Sequence, residues 1–283
     1  MINLNGNLDS ESISILDQGV LYGFGLFETM RGYNKNVVQI EDHLQRLFSS
    51  AESIAWNLPW TKELLINEIQ RCVDLSECSD LYIRLTVTKG DGQSIQPSYA
   101  IIVKPYQKQS EDSYKQGWHL LPVSIQKNST SPTSRLKSLN YLDNILARQE
   151  AIAKGANEGL FLNEKGYVAE GTKTNLFIVD VHNILITPNL SSGILPGITR
   201  QTIIDIAIAQ KIEVQERQVE LSELDHAKEI FCTNSLIELM PVTLWNNNKV
   251  GNGYPGKMTM LLQECYKAKV IFKGKNSKRT LLM

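Results

Sequence analysis

Three short segments of the sequence combine residue types that can do chemistry. Residues 191–200 form a glycine- and serine-containing loop that opens a predicted helix. Exposed backbone N–H groups there, next to Thr199 and Arg200, can bind a phosphate. Lys137 directly precedes another predicted helix, and Glu170 lies at a tight turn before a strand. Each segment also has an ordinary explanation: a capped loop, a solvated lysine and a solvated turn glutamate. None of the three decides the function alone.

The common signatures of other enzyme classes are missing. The sequence has no GxSxG nucleophile elbow, no Walker loop and no GxGxxG. Residues 23–25 (GFG) match only the first three positions of GxGxxG, which is too short a match to count. None of the four histidines has a cysteine, a carboxylate or a second histidine at ligand spacing, so we expect no metal site. The four cysteines form no CxxC pair and are too few for a disulfide scaffold. Cys232 lies in an apolar strand and is expected in the core.

Composition and charge exclude further classes. The 283 residues include 29 Lys plus Arg and 30 Asp plus Glu, a formal net charge of -1, which argues against nucleic acid as the main partner. No apolar run reaches the roughly 18 residues that a membrane span needs. The first residues lack the basic start and the apolar stretch of a signal peptide. We therefore expect a soluble, cytoplasmic protein, with about two domains at this length.

The elements that must position these residues mix strands and helices without a regular βαβ alternation, which predicts an α+β fold. The glycine-rich stretch 17–31 predicts an irregular loop that leads into a strand, rather than a helix. Alternation around Asn5-Gly6 predicts a hairpin at 2–8, and Thr61 is a candidate helix N-cap. Other predicted strands are 37–40, 81–88, 99–103, 118–125, 159–162, 175–179 and 184–187; predicted helices are 41–55, 61–73, 141–153, 199–210 and 257–268.

One polar segment divides the chain. Residues 107–117 lack an apolar period and are predicted to link a small N-terminal domain, 1–106, to a larger C-terminal domain, 118–283. Lys137 would then belong to the C-terminal domain. The basic run 273–279 is predicted to be a tail.

Six motifs, in order, resemble the class IV aminotransferases, the fold type IV family of pyridoxal-phosphate enzymes. They are residues 21–29 (LYGFGLFET), 43–47 (HLQRL), 136–141 (LKSLNY), 170–172 (EGT), 193–200 (GILPGITR) and 233–242 (TNSLIELMPV). The resemblance runs from about residue 2 to residue 265. It implies a two-domain α+β fold like that of D-amino-acid aminotransferase, with a small N-terminal α/β domain and a larger mixed α/β domain. It also implies a pyridoxal 5'-phosphate cofactor and a homodimer with active sites near the subunit interface.

The resemblance assigns roles to individual residues. Lys137 matches the lysine that bonds to the cofactor's aldehyde and then shuttles a proton at the substrate carbon. Glu170 matches the acid that keeps the ring nitrogen protonated, which the ring requires to act as an electron sink. The other cofactor-binding matches are Arg46, Ile198, Thr199 and Ser235 at the phosphate, Tyr141 at the ring hydroxyl, and Thr174.

The motifs leave the reaction open. Thr29 resembles the lyases of the family, which carry threonine where branched-chain aminotransferases carry glycine, and residues 233–236 also resemble the lyases. Tyr82-Ile83-Arg84 instead resembles the branched-chain pattern. The loop 89–94 lacks the arginine that some lyases and D-amino-acid enzymes have near its glycine. Predicted catalytic residues are Lys137 and Thr29, and predicted substrate-binding residues are Tyr22, Arg31, Arg84 and Asn234.

The main prediction is 4-amino-4-deoxychorismate lyase, the family member whose motifs match best. That enzyme releases pyruvate and leaves p-aminobenzoate for folate synthesis. The alternative is a transaminase for branched-chain or D-amino acids that uses a 2-oxo acid acceptor. A third hypothesis, a cofactor-binding protein without turnover, is opposed by the presence of both Lys137 and Glu170. Arg31 and Arg84 are both candidates to bind a substrate carboxylate.

Overall fold

A computed structural model describes residues 1–8 and 12–272, and the chain divides into two compact units. Unit 1 comprises Met1–Gln107 and Leu136–Asn140 together with residues 270–272, and unit 2 comprises Lys108–Arg135 and Tyr141–Lys269. The basic run 273–279 lies outside the described residues.

Unit 1 is built on a six-stranded, wholly antiparallel sheet of order β2-β1-β6-β5-β3-β4. Its strands are β1 (Ile2–Leu4), β2 (Asn7–Leu8), β3 (Gly25–Tyr33), β4 (Asn36–Val37), β5 (Asp80–Thr88) and β6 (Ser98–Pro105), and its helices are α1 (Gln18–Tyr22), α2 (Ile40–Ser53) and α3 (Lys62–Leu75). β5 alternates buried and half-buried residues, and its buried side chains pack with those of α2 and α3 in one core. Tyr82 and Arg84 therefore lie on the opposite face of the sheet.

The lysine segment belongs to unit 1, whereas the sequence placed it in the C-terminal domain. The Phe27 N–H donates to the Lys137 carbonyl oxygen (2.8 Å), and the Leu139 N–H donates to the Gly25 carbonyl oxygen (2.9 Å). These backbone hydrogen bonds attach residues 136–140 to β3.

Residues 18–22 form a short helix, so the prediction of a loop was wrong at this point. The Asp17 carboxylate accepts hydrogen bonds from the Gly19 N–H (2.6 Å) and from the Thr88 hydroxyl (2.8 Å). Gly23, with φ 69°, ends the helix. These signals are local, since Asp17 and Gly19 are two residues apart; the glycines of this stretch were interpreted as a loop, although one of them, Gly23, ends the helix.

Unit 2 contains a nine-stranded mixed sheet of order β12-β11-β10-β13-β14-β7-β8-β9, with β15 paired to β14. The strands are β7 (Trp118–Pro122), β8 (Glu158–Leu162), β9 (Val168–Gly171), β10 (Asn175–Val179), β11 (Leu185–Pro188), β12 (Val214–Arg217), β13 (Glu229–Asn234), β14 (Glu238–Trp245) and β15 (Asn248–Lys249). The helices are α4 (Glu111–Gln116), α5 (Leu142–Ala153), α6 (Ile198–Ala209), α7 (Leu221–Asp225) and α8 (Lys257–Tyr266), with 3₁₀ turns at Pro132–Arg135 and Leu190–Ser192. A π-helical segment, Lys267–Phe272, follows α8 and crosses the boundary between the units in the chain.

Two cores lie on opposite faces of β7 in this unit. Trp118 and Leu120 belong to a core formed mainly by residues of the other strands. Leu121 belongs to a second core, in which it packs with Ala147 and Ala151 of α5. Cys232, in β13, is fully buried as predicted. The mixed helix and strand content of both units confirms the α+β prediction.

Two local predictions differ from the structure. The strand expected at 37–40 stops at Val37, because Gln39 adopts a left-handed φ of 52° before α2 begins. Residues 108–117 belong to unit 2 and include α4, although they were predicted as linker. Tyr114 of α4 donates to the Ile237 carbonyl oxygen (2.9 Å), which attaches this polar helix to the unit. Within residues 1–8 and 12–272, no helix has the length and apolar character to cross a membrane.

Candidate active site

Unit 1 presents Lys137 beside the sheet face that is opposite the helices. Its ammonium lies 4.6 Å from the centroid of the Phe27 ring. The Arg84 guanidinium contacts the same ring, with 3.8 Å between its central carbon and the centroid. An amine and a guanidinium therefore share one aromatic ring, which places two cations near each other on this face.

Arg84 and Arg31, the two candidates for a substrate carboxylate, have different surroundings. Arg31 is buried and binds Asp80 through two hydrogen bonds of 3.0 and 3.1 Å, with Tyr33 and Tyr106 rings against its guanidinium. Arg84 donates to the Thr86 hydroxyl (3.1 Å) and has no carboxylate within 4.0 Å among residues 1–8 and 12–272. A carboxylate partner is thus already present for Arg31, while Arg84 can accept one from a ligand.

Thr29 and Tyr22 have different surroundings. Thr29 stands directly opposite Arg84 in the β3–β5 register and is half-buried. In the described part of the chain its hydroxyl makes no hydrogen bond, so it can bond to a ligand. Tyr22 ends α1 and is 73% exposed.

Behind the sheet, Glu28 organises a buried charged cluster with Arg46. The Arg46 Nε and Nη2 donate to the two Glu28 oxygens (2.8 and 2.5 Å), and His43 Nδ1 lies 2.7 Å from Oε2. Burial raises the pKa of the Glu28 carboxyl, but Arg46 and His43 more than offset this and lower that pKa to about 2. Burial also lowers the pKa of His43, against the opposing effect of the Glu28 carboxylate. The predicted phosphate arginine is therefore held on one edge by a carboxylate.

Unit 2 presents Glu170 at the end of β9. Its Oε2 accepts hydrogen bonds from Asn175 Nδ2 (3.1 Å) and from the Leu195 N–H (3.0 Å), and its Oε1 accepts from the Lys127 ammonium. The side chains of Glu170 and Lys127 are only 7% and 14% exposed. Asn175 also donates to the Leu195 carbonyl oxygen (3.0 Å), so it joins Glu170 to the loop that precedes α6.

That loop leads into a candidate anion site at the start of α6. The first N–H groups of a helix have no partner within it, and they carry the positive end of the helix dipole. Ile198 and Thr199 are the first two residues of α6. Thr199 is buried, and its hydroxyl has no hydrogen-bond partner within the described residues; the same holds for the Thr174 and Thr233 hydroxyls. Because an unpaired buried hydroxyl is costly, the Thr199 hydroxyl and the first N–H groups of α6 fit a bound polar group such as a phosphate.

Several predicted residues of unit 2 have other contacts. Tyr141 lies at the start of α5, and its hydroxyl donates to the Thr172 carbonyl oxygen (3.2 Å). Asn234 accepts from the Leu236 and Ile237 N–H groups, both at 2.9 Å, and donates to the Lys173 carbonyl oxygen. This amide therefore shapes the turn between β13 and β14, in which Ser235 lies.

Arg200 does not serve the anion site that its position in the sequence indicated. It is buried and donates to the Thr187 hydroxyl (3.2 Å), the Pro188 carbonyl oxygen (2.9 Å) and Glu216 (2.7 Å). Its guanidinium thus anchors the first turn of α6 to β11 and β12.

Sequence reasoning missed Lys127, Asn175, Glu28 and His43. Glu28 and His43 lie within quoted motifs and Asn175 lies next to one, so their positions carried a signal that was not used. Lys127 and Glu170 are 43 residues apart and His43 and Glu28 are 15 apart, so no local spacing reveals either pair.

Comparison with known proteins identifies relatives over nearly the whole length. Residues 25–245 match the family model described as Amino-transferase class IV. The chain is 34% identical over 278 residues to a Methanocaldococcus jannaschii protein assigned to the branched-chain-amino-acid aminotransferases, covering 94% of this chain and 95% of the relative.

Two further similarities bear on the reaction and on the cofactor. The chain is 31% identical over 282 residues to the aminodeoxychorismate lyase of Bacillus subtilis, covering 95% of this chain and 94% of that protein. The structure of a branched-chain amino acid aminotransferase from Thermobaculum terrenum in its PLP-form superposes with a TM-score of 0.84 at 28% identity, covering 95% of this chain and 92% of the other.

Proposed function

The chain belongs to the class IV aminotransferases, and from this membership we propose that it is an amino-acid transaminase of the branched-chain type. It is an enzyme whose cofactor is pyridoxal phosphate. The observation that carries the transaminase proposal is Arg84, from the branched-chain-like Tyr82-Ile83-Arg84 pattern, which shares the Phe27 ring with Lys137. The relatives named as branched-chain aminotransferases support this proposal better than the lyase that the motifs favoured.

The residues present fit the cofactor. Its phosphate would bind at the start of α6, where the Ile198 and Thr199 N–H groups and the unpaired Thr199 hydroxyl offer donors. Arg46 and Ser235 stay predicted phosphate ligands from the family resemblance. When bound, the cofactor supplies a protonated ring that withdraws electrons from the substrate carbon. Glu170 would hold the proton on the ring nitrogen. Tyr141 and Thr174 stay predicted contacts of the cofactor.

Lys137 would carry the covalent bond to the cofactor and move the proton at the substrate carbon. Its carbonyl oxygen accepts a hydrogen bond from the Phe27 N–H of β3, while its side chain has the flexible stem that proton transfer between nearby atoms requires. Arg84 would bind a carboxylate of the amino acid or of the 2-oxo acid. With its carboxylate bound by Arg84, the substrate would be oriented so that its reacting carbon lies next to the Lys137 amine.

Replacing Arg84 by glutamine should raise the KM for the substrate whose carboxylate it binds by about 10- to 100-fold, because a charge-assisted hydrogen bond contributes about 1.5–3 kcal/mol. Steady-state kinetics with amino acid and 2-oxo acid varied in turn would identify that substrate. The matched control is Lys104→Gln, which removes an exposed cation next to Tyr82 on the neighbouring strand. Equal KM values in the wild type and in Arg84→Gln would exclude the role.

A second candidate function, aminodeoxychorismate lyase, is favoured by Thr29. Its hydroxyl lies on the same sheet face as Arg84, where glycine in branched-chain enzymes offers none, and a lyase is among the relatives. If the protein is a lyase, Thr29→Gly should lower p-aminobenzoate formation by roughly 2- to 13-fold, the loss of one neutral hydrogen bond of about 0.5–1.5 kcal/mol. Thr29→Ser keeps the hydroxyl and should retain most activity.

One experiment separates the two functions. Purified protein is supplied either with amino acids plus 2-oxoglutarate or with aminodeoxychorismate, and the products are followed. We expect transamination of branched-chain amino acids and no release of p-aminobenzoate. Rapid p-aminobenzoate release without transamination would instead make the lyase the function, and no product from either substrate would point to a protein without turnover.

We also propose that the enzyme is a homodimer, as the family resemblance implies. Exposed apolar side chains support this in each unit: Ile15, Leu16 and Leu21 in unit 1 and Leu142 and Ile152 in unit 2. Sedimentation equilibrium would measure the mass in solution. A location in the cytoplasm stays a prediction from the sequence.

A further inference from the structure

Lys127 is the one charged side chain in contact with the Glu170 carboxylate among residues 1–8 and 12–272. It follows β7, and its backbone is fixed by a hydrogen bond from its N–H to the Leu162 carbonyl oxygen (2.9 Å). Its ammonium also lies 5.5 Å from the centroid of the Phe161 ring. Both partners of the ion pair are nearly buried, so water screens their attraction weakly.

The hydrogen bonds of Glu170 leave room for one more donor. A carboxylate offers about four acceptor positions on its two oxygens. Asn175 and the Leu195 N–H occupy both positions on Oε2, and Lys127 occupies one on Oε1. A fourth donor, such as a protonated ring nitrogen, would therefore share Oε1 with the Lys127 ammonium.

The charge on Lys127 influences where the shared proton resides. A proton between a ring nitrogen and a carboxyl group can belong to either partner. A buried carboxyl with only neutral donors favours its uncharged form, whereas a cation in contact favours the ionised form. The ammonium on Oε1 thus disfavours transfer of the proton from the nitrogen to Glu170.

We propose that Lys127 is a positioning residue of the cofactor site: it keeps Glu170 ionised, and so keeps the proton on the ring nitrogen of the bound cofactor. The proposal rests on the role proposed above for Glu170. A lysine with a purely structural role would contribute to stability but would not change the protonation of that nitrogen.

The test is the ¹⁵N chemical shift of the ring nitrogen in holoenzyme loaded with ¹⁵N-labelled cofactor, which distinguishes the protonated from the unprotonated nitrogen. We expect the protonated shift in wild type and Lys127→Arg. In Lys127→Met the shift should move toward the unprotonated value. Turnover should fall about 10- to 100-fold, which is the size of effect seen in metalloenzymes when a residue that orients a metal ligand is removed. Lys127→Gln, which keeps a donor but no charge, should move the shift the same way and serves if the methionine variant folds poorly.

Two further variants make the outcome decisive. Lys154→Met is the matched control, because it removes an ammonium that pairs with Glu150 at 2.7 Å on α5, and it should keep the wild-type shift. If Glu170→Gln loses the protonated shift while both neutral Lys127 variants keep it, the proposal for Lys127 is wrong and the role of Glu170 stands. If Glu170→Gln itself keeps the protonated shift, the role proposed for Glu170 is wrong as well.

Discussion

Replacing Lys137 by methionine is expected to abolish covalent attachment of the cofactor and to lower turnover on the order of 10⁴-fold or more. Methionine keeps an unbranched side chain against the Phe27 ring but has no amine, so it can neither bond to an aldehyde nor carry a proton. The fold should survive, because residues 136–140 are attached to β3 through backbone groups that the substitution leaves unchanged.

Borohydride reduction followed by mass spectrometry checks this prediction. Reduction should fix the cofactor permanently to the peptide that contains Lys137 in the wild type and to no peptide in Lys137→Met. The matched control is Lys89→Met, since the Lys89 ammonium also lies over a phenylalanine ring of unit 1, 4.1 Å from the Phe24 centroid. That variant should keep both the label and the turnover. A label on Lys127 or another lysine would refute the assignment.

The fold was predictable wherever a local period or cap determines an element. The alternation in β5 separates its core-facing residues from Tyr82 and Arg84, and Thr61 caps α3 by accepting from the Leu64 N–H (3.1 Å), as predicted. Helix α1 was missed because its glycines indicated a loop, although Asp17 caps the helix and Gly23 ends it. The lysine segment was assigned to the other unit for a different reason: pairing with β3 is a long-range contact that chain order does not reveal.

The candidate site divides in the same way. Lys137, Glu170 and Thr199 each lie within a short motif, so sequence alone could propose them. The partners that set the electrostatic environment of such residues come from other elements. Lys127 reaches Glu170 from the segment after β7, and Asp80 binds Arg31 from the neighbouring strand. Only these contacts distinguish Arg31, which already has a carboxylate, from Arg84.

Glu158 offers a control for the charge of Glu170. It is fully buried on β8, and burial raises the pKa of its carboxyl. Its Oε1 accepts from the Thr172 and Gly159 N–H groups, both at 3.0 Å, and from the Thr172 hydroxyl, while Oε2 has no partner within the described residues. Burial disfavours the charged form that Glu158→Gln removes, and turnover should stay within a few-fold of the wild type.

Glu170→Gln, by contrast, should lower turnover by at least about 100-fold, because the ring nitrogen loses the negative charge that holds its proton. Cofactor affinity should change much less, since the phosphate donors at the start of α6 remain. In this variant the new side-chain amide can turn its NH₂ group toward the Lys127 ammonium, donor against donor, so thermal unfolding must be measured alongside turnover. The double variant Glu170→Gln/Lys127→Met removes that repulsion: it should regain stability without regaining turnover. Recovery of turnover in the double variant, or full turnover in Glu170→Gln, would show that the carboxylate charge is not required for the reaction.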